Sequence, residues 1–353
     1  MKADIRRISS NRIGLLMLFT GGIALMFLLN IAYGSVSIPF DRVIAILAGS
    51  SSDQTDTWAT IILKSRLPQA VTATLAGGGL AVGGLMMQTL FRNPLAGPSI
   101  LGISSGASLG VAFIMMFIGQ LHFSAITSIN LFGNMATILM AIAGAVATLF
   151  LILFFARKIK DNAMLLILGI MISYITSALV DILKYYSTSE HLHSYAMWGL
   201  GSFSNVAWPQ LEIFIPVVVL GMALSFLLMK PLNILLLGEN YAANLGLNVH
   251  RTRFFIILTT GILTAVITAF CGPIVFLGLA VPHITKMVFK TSNHSILLPG
   301  VILTGILLAL ICNFIARLPG FESALPINVV TSIFGAPIVI SVILRQRRLK
   351  LSV

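Results

Sequence analysis

The sequence predicts an all-α protein, a polytopic transmembrane bundle of about ten helices formed by a single domain over residues 1–353. Apolar residues make up 58% of the chain and charged residues only 9%, with a mean hydropathy of +1.01. Such a chain has too little polar surface for a water-soluble globule. Its apolar residues fall in runs that can cross about 30 Å of hydrocarbon. Most Lys and Arg residues lie between those runs, which is typical of a membrane protein.

The apolar runs follow one another along the whole chain. The first comes after the basic residues Lys2, Arg6, Arg7 and Arg12 and is too long for the core of a secretory signal peptide, so we interpret it as a membrane span. The ten predicted spans are residues 13–33, 67–90, 99–118, 133–156, 163–184, 212–229, 254–271, 274–289, 297–316 and 327–344. The eighth span is short, and we expect it to be tilted or broken.

The distribution of positive charge predicts the orientation of the chain. With the N-terminus inside, 17 of the 22 Lys and Arg residues lie on the inner side and five on the outer side. The positive-inside rule therefore places both termini in the cytoplasm. The net charge of +12 does not predict nucleic acid as a partner, because the basic residues are scattered between apolar runs. Cys271 and Cys312 lie inside apolar runs, and we expect neither a disulfide nor a metal site from them.

Two similar motifs interrupt the helices. Gly97-Pro98 opens the third span and Gly272-Pro273 the eighth, and these spans run in opposite directions in the predicted topology. This arrangement predicts an inverted repeat with halves at about 67–184 and 254–344. Interrupted helices need a cavity or protein neighbours for their free backbone groups. We therefore predict a pathway wall that includes Asn93, Pro94, Gly97, Pro98, Gly102, Gly272, Pro273 and Pro282. The alternative is that the prolines simply occupy first helical turns.

A polar segment, KPLNILLLGENYAANLGLNVHRTR, separates the sixth and seventh spans at residues 230–253. Apolar residues at roughly helical spacing on both sides of Gly238 predict two short helices with a turn between them, the second ending before Gly246. The charge count places the segment in the cytoplasm. Amphipathic helices there are suited to binding a partner. A solvated linker is the alternative interpretation.

Four blocks of sequence resemble one known family. They are MMQTLFRNPLAGPSILGISSGASLG, LLLGENYAANLG, CGPIVFLGLAVPHITK and LPINVVTSIFGAPIVISVILRQRR, which begin at Met86, Leu235, Cys271 and Leu325. In this order and over nearly the whole chain, they resemble the bacterial FecCD-type permeases that import ferric siderophores, haem and cobalamin. Glycines 77–79 are not followed by the Gly-Lys-Ser or Gly-Lys-Thr of a phosphate loop, so we expect no ATP site in this chain.

The resemblance implies a transport subunit in the bacterial plasma (inner) membrane without catalytic residues, metal or cofactor of its own. Its implied partners are two ATP-binding-cassette ATPase subunits, a substrate-binding protein, a second permease subunit and the lipid bilayer. The second permease subunit would be an identical copy or a close relative. A ferric siderophore is the first expected substrate, with cobalamin and haem as alternatives.

The resemblance also implies roles for particular residues. Coupling to the ATPase is expected at Leu237, Gly238, Glu239, Ala242, Leu245 and Gly246. Docking of the binding protein is expected at Arg66 and Arg317, because a guanidinium group suits carboxylates, and at Lys64 as a substitute for an arginine that is missing at Gln69. Gln69 stands where many relatives carry a further arginine. Glu239 as a solvated residue and the arginines as membrane-interface anchors are the alternatives.

Two other functional classes remain as alternatives. An ion-coupled secondary carrier would need acids or histidines near the middle of a span, and the acid Asp181 lies at the end of one. An intramembrane hydrolase is suggested by Gly102-Ile103-Ser104-Ser105-Gly106, with His283 as its base. His191 and His193 are interpreted as part of a polar outer loop, and His283 as a buried residue with a backbone hydrogen bond.

Overall fold

The computed structural model describes residues 2–34, 36, 38–49, 57–118, 130–159, 161–318 and 324–351. All regular elements in these ranges are helical. In chain order they are α1 (Lys2–Ala32), α2 (Phe40–Leu47), α3 (Thr57–Ile61), α4 (Leu67–Leu90), α5 (Ile103–Ala112), α6 (Asn130–Lys158), α7 (Asn162–Tyr185), α8 (Ser189–Gly199), α9 (Trp208–Leu227), α10 (Met229–Leu235), α11 (Glu239–Asn244), α12 (Val249–Cys271), α13 (Leu277–Phe289), α14 (His294–Ala316) and α15 (Ile327–Leu351). Two π-helical stretches (Ile62–Arg66 and Phe113–Ile118) and a 3-10 turn (Pro98–Leu101) complete the set.

The predicted fold class is confirmed. In the described ranges, seven helices are long and apolar enough to cross a membrane, and three shorter apolar helices (Ile103–Phe117, Leu277–Phe289 and Ile327–Val342) accompany them. Together they coincide with the ten predicted spans. The eighth predicted span is α13, whose 13 residues make it short, as expected.

Two of the segments predicted to lie outside the spans are helical. The second span does not begin at residue 67, because the helix is continuous from Thr57 through the π-helical stretch to Leu90. Lys64 and Arg66 therefore lie within the helix instead of in a loop. The predicted outer loop at His191 and His193 is also helical, since both residues belong to α8.

Helices α4 and α12 form the centre of the bundle. In the most apolar stretches of these two helices, 83% and 78% of the residues are buried, compared with 17% for α1. Glycines allow close helix crossings there. A Cβ added to Gly77 would lie 2.4 Å from the Gly305 carbonyl oxygen of α14, and one added to Gly84 would lie 1.7 Å from the Gly278 carbonyl oxygen of α13. The α4 backbone therefore packs directly against two other helix backbones.

Helix packing in the first half of the chain has a counterpart in the second half. The α4–α14 contact matches α12–α6, and the α4–α13 contact matches α12–α5. Likewise, α5 packs on α6 and α7 as α13 packs on α14 and α15. We propose that α4–α7 and α12–α15 are the two repeat units, within the halves 67–184 and 254–344.

Both predicted helix breaks are present. Gly97 and Pro98 lead into the 3-10 turn, and the left-handed residue Gly102 precedes α5. Pro98 is buried, and its ring would lie 2.5 Å from a Cβ on Gly278. The first break is therefore packed against protein.

The second break lies between α12 and α13. Gly272 has a φ of +75°, and a Cβ there would lie 2.5 Å from the Trp198 carbonyl oxygen, so glycine is required. Asn328 of α15 satisfies the free backbone groups: it donates to the Pro273 carbonyl at 2.6 Å and accepts from the Val275 N–H at 3.1 Å. The helix breaks are confirmed, whereas their role in the pathway stays a prediction.

Candidate functional site

The segment between α9 and α12 folds as predicted into two short helices, α10 and α11, with a turn at Leu236 to Gly238. The end of α11 is a Schellman motif, in which the Leu247 N–H donates to the Ala242 carbonyl at 3.0 Å and the Gly246 N–H to the Ala243 carbonyl at 2.9 Å. Gly246 has a φ of +85°, which a residue with a side chain rarely adopts. The predicted turn at Gly246 is therefore confirmed.

Three large apolar side chains of this segment project away from the protein. Leu237, Tyr241 and Leu245 are 59%, 69% and 62% exposed. They are spaced four residues apart, so they form a continuous surface on and just before α11, which we call the apolar stripe. Sequence reasoning missed Tyr241, although its spacing from Leu237 and Leu245 was the available signal.

The opposite side of α11 faces the protein. Ala242 is fully buried. Arg253 of α12 donates from Nη2 to both carboxylate oxygens of Glu239, at 3.0 and 3.2 Å. The Arg253 side chain is 2% exposed and the Glu239 side chain 30%. Glu239 is therefore not the solvated residue of the alternative interpretation, because its carboxylate belongs to a largely buried ion pair.

Asn162, at the start of α7, extends this ion pair into a network. Its Nδ2 donates to Glu239 Oε1 at 2.8 Å and to the Leu90 carbonyl at 2.9 Å. Arg253 Nη1 donates to the Ile159 carbonyl at 2.8 Å. Helix α11 is thereby connected to α4, α7 and α12. Sequence reasoning missed Arg253 and Asn162 because neither is a near neighbour of Glu239 in the chain.

A second set of hydrogen bonds connects α10 to the bundle. The Asn233 side chain accepts from the His294 backbone N–H at 2.8 Å and lies 2.9 Å from His294 Nδ1. The other ring nitrogen of His294 is 2.9 Å from the Thr89 hydroxyl. Both connections thus reach the last two residues of α4, Thr89 and Leu90.

The far end of α12 borders a cavity of about 630 Å³. Helix α12 has 23 residues, so this cavity lies about 34 Å along the helix from the polar segment at residues 230–253. Its walls combine amide and hydroxyl groups with a few large apolar side chains. They include Asn134, Thr137, Ser202, Asn205, Met197 and Trp198.

Arg66, for which docking of a binding protein is predicted, lies inside the protein in this structure. This residue is 1% exposed. It donates from Nη1 to the carbonyls of Ile31 and Ala32, at 2.9 and 2.6 Å, and from Nη2 to the carbonyl of Val36. These carbonyls end α1 and follow it, so Arg66 holds the end of α1, and its docking role stays a prediction.

The other two residues predicted for docking differ in exposure. Lys64 is exposed and Arg317 half-buried, so both positions are compatible with docking. A Cβ on Gly34 would lie 3.1 Å from an Nη2 atom of Arg317 and 3.1 Å from that of Arg66, which places the two guanidinium groups side by side. Burial, and then the charge of Arg66, lower the pKa of Arg317 to about 10. Arg317 therefore stays protonated at neutral pH.

Replacing Arg66 by Gln is expected to lower thermal stability. Main-chain carbonyls that accept from Arg66 would lose a charged donor, at a cost of about 1–3 kcal/mol. Thermal unfolding of the detergent-solubilised protein measures this change. Lys64→Gln, on the exposed neighbour, is the control and should leave the unfolding temperature unchanged. An unchanged unfolding temperature for Arg66→Gln with weaker docking of a binding protein would restore the original prediction.

The hydrolase alternative has no support in the geometry. The Ser104 hydroxyl is 3.1 Å from the hydroxyl of Thr268, and His283 is buried with Nε2 2.7 Å from the Pro94 carbonyl. The backbone hydrogen bond predicted for His283 is confirmed.

For the carrier alternative, Asp181 pairs with Lys184 at 3.0 Å on an exposed face. The described part of the chain contains no cluster of three or more acids, histidines or cysteines that could hold an ion.

The structure is a helical membrane bundle with two interrupted helices and, at one end, a pair of short helices held by hydrogen bonds, and the comparisons with known proteins assign it to the transport subunits. The chain matches the FecCD transport family over residues 22–345 and belongs to that family. It is 38% identical over 287 residues to the vitamin B12 import system permease protein BtuC of Salmonella typhi, covering 80% of this chain and 83% of that protein. It is 36% identical over 323 residues to the BtuC protein of Escherichia coli O9:H4, covering 89% and 94%.

A solved structure has the same fold. It is an ABC transporter assigned to the metal-chelate type, in an inward-facing conformation, with a TM-score of 0.80, 30% identity and coverage of 94% of this chain and 99% of that one. The chain is thus a multi-pass permease subunit of a bacterial ABC importer, which implies ATPase partners and a place in the inner membrane. The relatives do not confirm a ferric siderophore as substrate, and their names fit the cobalamin alternative.

Proposed function

We propose that this permease moves a metal chelate of the cobalamin type across the inner membrane by alternating access, driven by two partner ATPase subunits. The supporting observation for the substrate is the set of relatives named as vitamin B12 permeases, which match most of this chain. A ferric siderophore is the second candidate, because the solved relative is described only as of the metal-chelate type.

The polar segment at residues 230–253, which we call the coupling segment, supports the proposed mechanism. The apolar stripe of Leu237, Tyr241 and Leu245 is exposed, and the segment that carries it also contains the basic residues Lys230 and Arg251, on the side that the charge distribution assigns to the cytoplasm. It provides a surface for the ATPase, in the manner of a helix that inserts into a groove. Both termini lie on the same side in this proposal.

Substrate enters from the opposite side. A binding protein delivers it to the outer face near Lys64 and Arg317, and a second permease subunit, an identical copy in our proposal, completes the pathway between the two subunits. The exposed apolar side chains of α7, such as Met171, Tyr174 and Ile175, provide a face for that pathway. Movement of the coupling segment then changes which end of the pathway is open.

Reconstitution in liposomes tests the proposal. The permease, its ATPase and its binding protein are assembled, and ATP hydrolysis and uptake are measured with radiolabelled cyanocobalamin, ferric siderophores and haem. We expect cyanocobalamin to stimulate both activities. Stimulation by a ferric siderophore alone would transfer the proposal to that class, and failure of the permease to bind any ATPase would contradict the coupling mechanism.

A further inference from the structure

We propose that the ion pair of Glu239 and Arg253, together with Asn162, transmits the movement of α11 to α4, α7 and α12. This inference rests on the proposed coupling function of the segment. It assigns the three side chains as positioning residues of the transport cycle. None of them needs to touch substrate or the ATPase.

The two sides of α11 have different tasks. The apolar stripe points outward and is available to a partner, whereas Glu239 and Ala242 point inward. A force applied to the stripe therefore reaches the bundle through the inward side. On that side, the Ala242 side chain is a methyl group, whereas the Glu239 carboxylate accepts directional hydrogen bonds from Arg253 and Asn162.

These contacts are short and directional. Four hydrogen bonds of 2.8 to 3.2 Å join Glu239 to Arg253, Arg253 to Ile159, and Asn162 to Glu239. Hydrogen bonds weaken steeply when their distance or angle departs from the optimum. Movement of α11 by about an ångström would break them unless the starts of α7 and α12 moved as well.

Simple attachment does not require such a network. Apolar side chains of similar volume would hold α11 without the desolvation cost of a buried ion pair. The network instead joins α11 to three particular helix ends: the Leu90 carbonyl of α4, Asn162 of α7 and Arg253 of α12. The connection through Asn233 and His294 brings α10 to the neighbouring residue, Thr89. Both short helices therefore act on the same end of the central helix α4.

Spin labels test the connection without reference to the substrate. Asn244→Cys on α11 and Met164→Cys on α7 introduce two exposed labelling positions, while native Cys271 and Cys312 are buried. The distance between the labels is measured in the complete complex with and without ATP and vanadate. We expect the distance to stay constant in the otherwise unchanged protein, and to change with nucleotide when Asn162→Ala or Glu239→Gln is added.

A functional measurement accompanies the labels. In liposomes supplied with radiolabelled cyanocobalamin, Glu239→Gln and Asn162→Ala should retain bound ATPase subunits while transport per ATP falls at least about fivefold, within the range for residues that modulate coupling. Asp161→Asn is the matched control. It makes the same carboxylate-to-amide change at the exposed N-cap of α7, where Asn caps as well as Asp, and should stay within about twofold of the unchanged protein.

The outcomes separate this inference from the proposed function. A label distance that changes with nucleotide in the otherwise unchanged protein would overturn the inference alone. Equal transport per ATP in Asn162→Ala, Glu239→Gln and the Asp161→Asn control would also overturn the inference alone. If Glu239→Gln does not give a monodisperse protein, the inference is tested by Asn162→Ala alone, because that substitution leaves the ion pair of Glu239 and Arg253 in place. Lack of ATPase binding by the unchanged chain would instead contradict the proposed function.

Discussion

The double substitution Tyr241→Asp and Leu245→Asp is expected to abolish ATPase binding and, with it, uptake. Both side chains belong to the apolar stripe and are more than half exposed. Buried anchors at an interface contribute about 2 kcal/mol or more each, so loss of two, about 4 kcal/mol, should weaken binding by about 700-fold. Co-purification of the ATPase with the permease measures this effect, and uptake by the reconstituted importer should fall to background.

A matched control places the same charges beside the stripe. Asn240→Asp and Asn244→Asp add two carboxylates to exposed positions of α11 without removing an apolar side chain. We expect the control to keep most of the ATPase binding. Equal loss in the control and in the stripe variant would mean that negative charge, and not the lost apolar surface, decides binding at this helix.

The substitution Gly84→Ala is expected to have the largest effect on stability. The added Cβ would lie 1.7 Å from the Gly278 carbonyl oxygen and 2.6 Å from its carbonyl carbon, both of which are backbone atoms. Side-chain rotation cannot relieve this overlap, so α4 and α13 must separate. Overpacking of this kind costs about 3 kcal/mol or more.

The expected result is a large loss of monodisperse protein, with an unfolding temperature lower by at least about 5 °C in what remains. Fluorescence-detected size exclusion after a series of heating steps measures both quantities. Gly21→Ala on α1 is the control, because no atom lies within 4 Å of a Cβ there. Normal stability of Gly84→Ala would show that the two helices cross at a greater distance than in this structure.

The fold could be predicted because membrane helices are specified mainly by local composition. Each span needs a long apolar run, and the runs were visible one by one. The predicted helix boundaries were wrong where polar residues, which are usual in loops, lie within helices. The second span was predicted to begin at residue 67, after Lys64 and Arg66, but the helix continues through both residues, and Arg66 donates to carbonyls at the end of α1. The histidines of α8 gave the same false indication of a loop.

The candidate site could be predicted only in part. The two short helices and the turn at Gly246 were visible in local spacing, and the structure contains them. The partners of Glu239 were not, because Arg253 and Asn162 lie 14 and 77 residues away in the chain. A single sequence does not show which distant polar residues meet. The position of Gln69 is similar: it looked like a missing docking arginine, but it is buried and donates to Asn313 at 3.0 Å.

The unequal burial of the spans has a consequence for the response to the lipid environment. Helices α4 and α12 are enclosed by protein over most of their apolar length, whereas only 17% of the corresponding stretch of α1 is buried. Bilayer thickness acts on a helix through its lipid-facing surface, by tilting it or by deforming the surrounding lipid. A change of acyl-chain length should therefore tilt α1 directly. Helices α4 and α12 have little surface in contact with lipid, so the change reaches them only through neighbouring helices. We expect it to alter the tilt of α4 and α12 less than the tilt of α1.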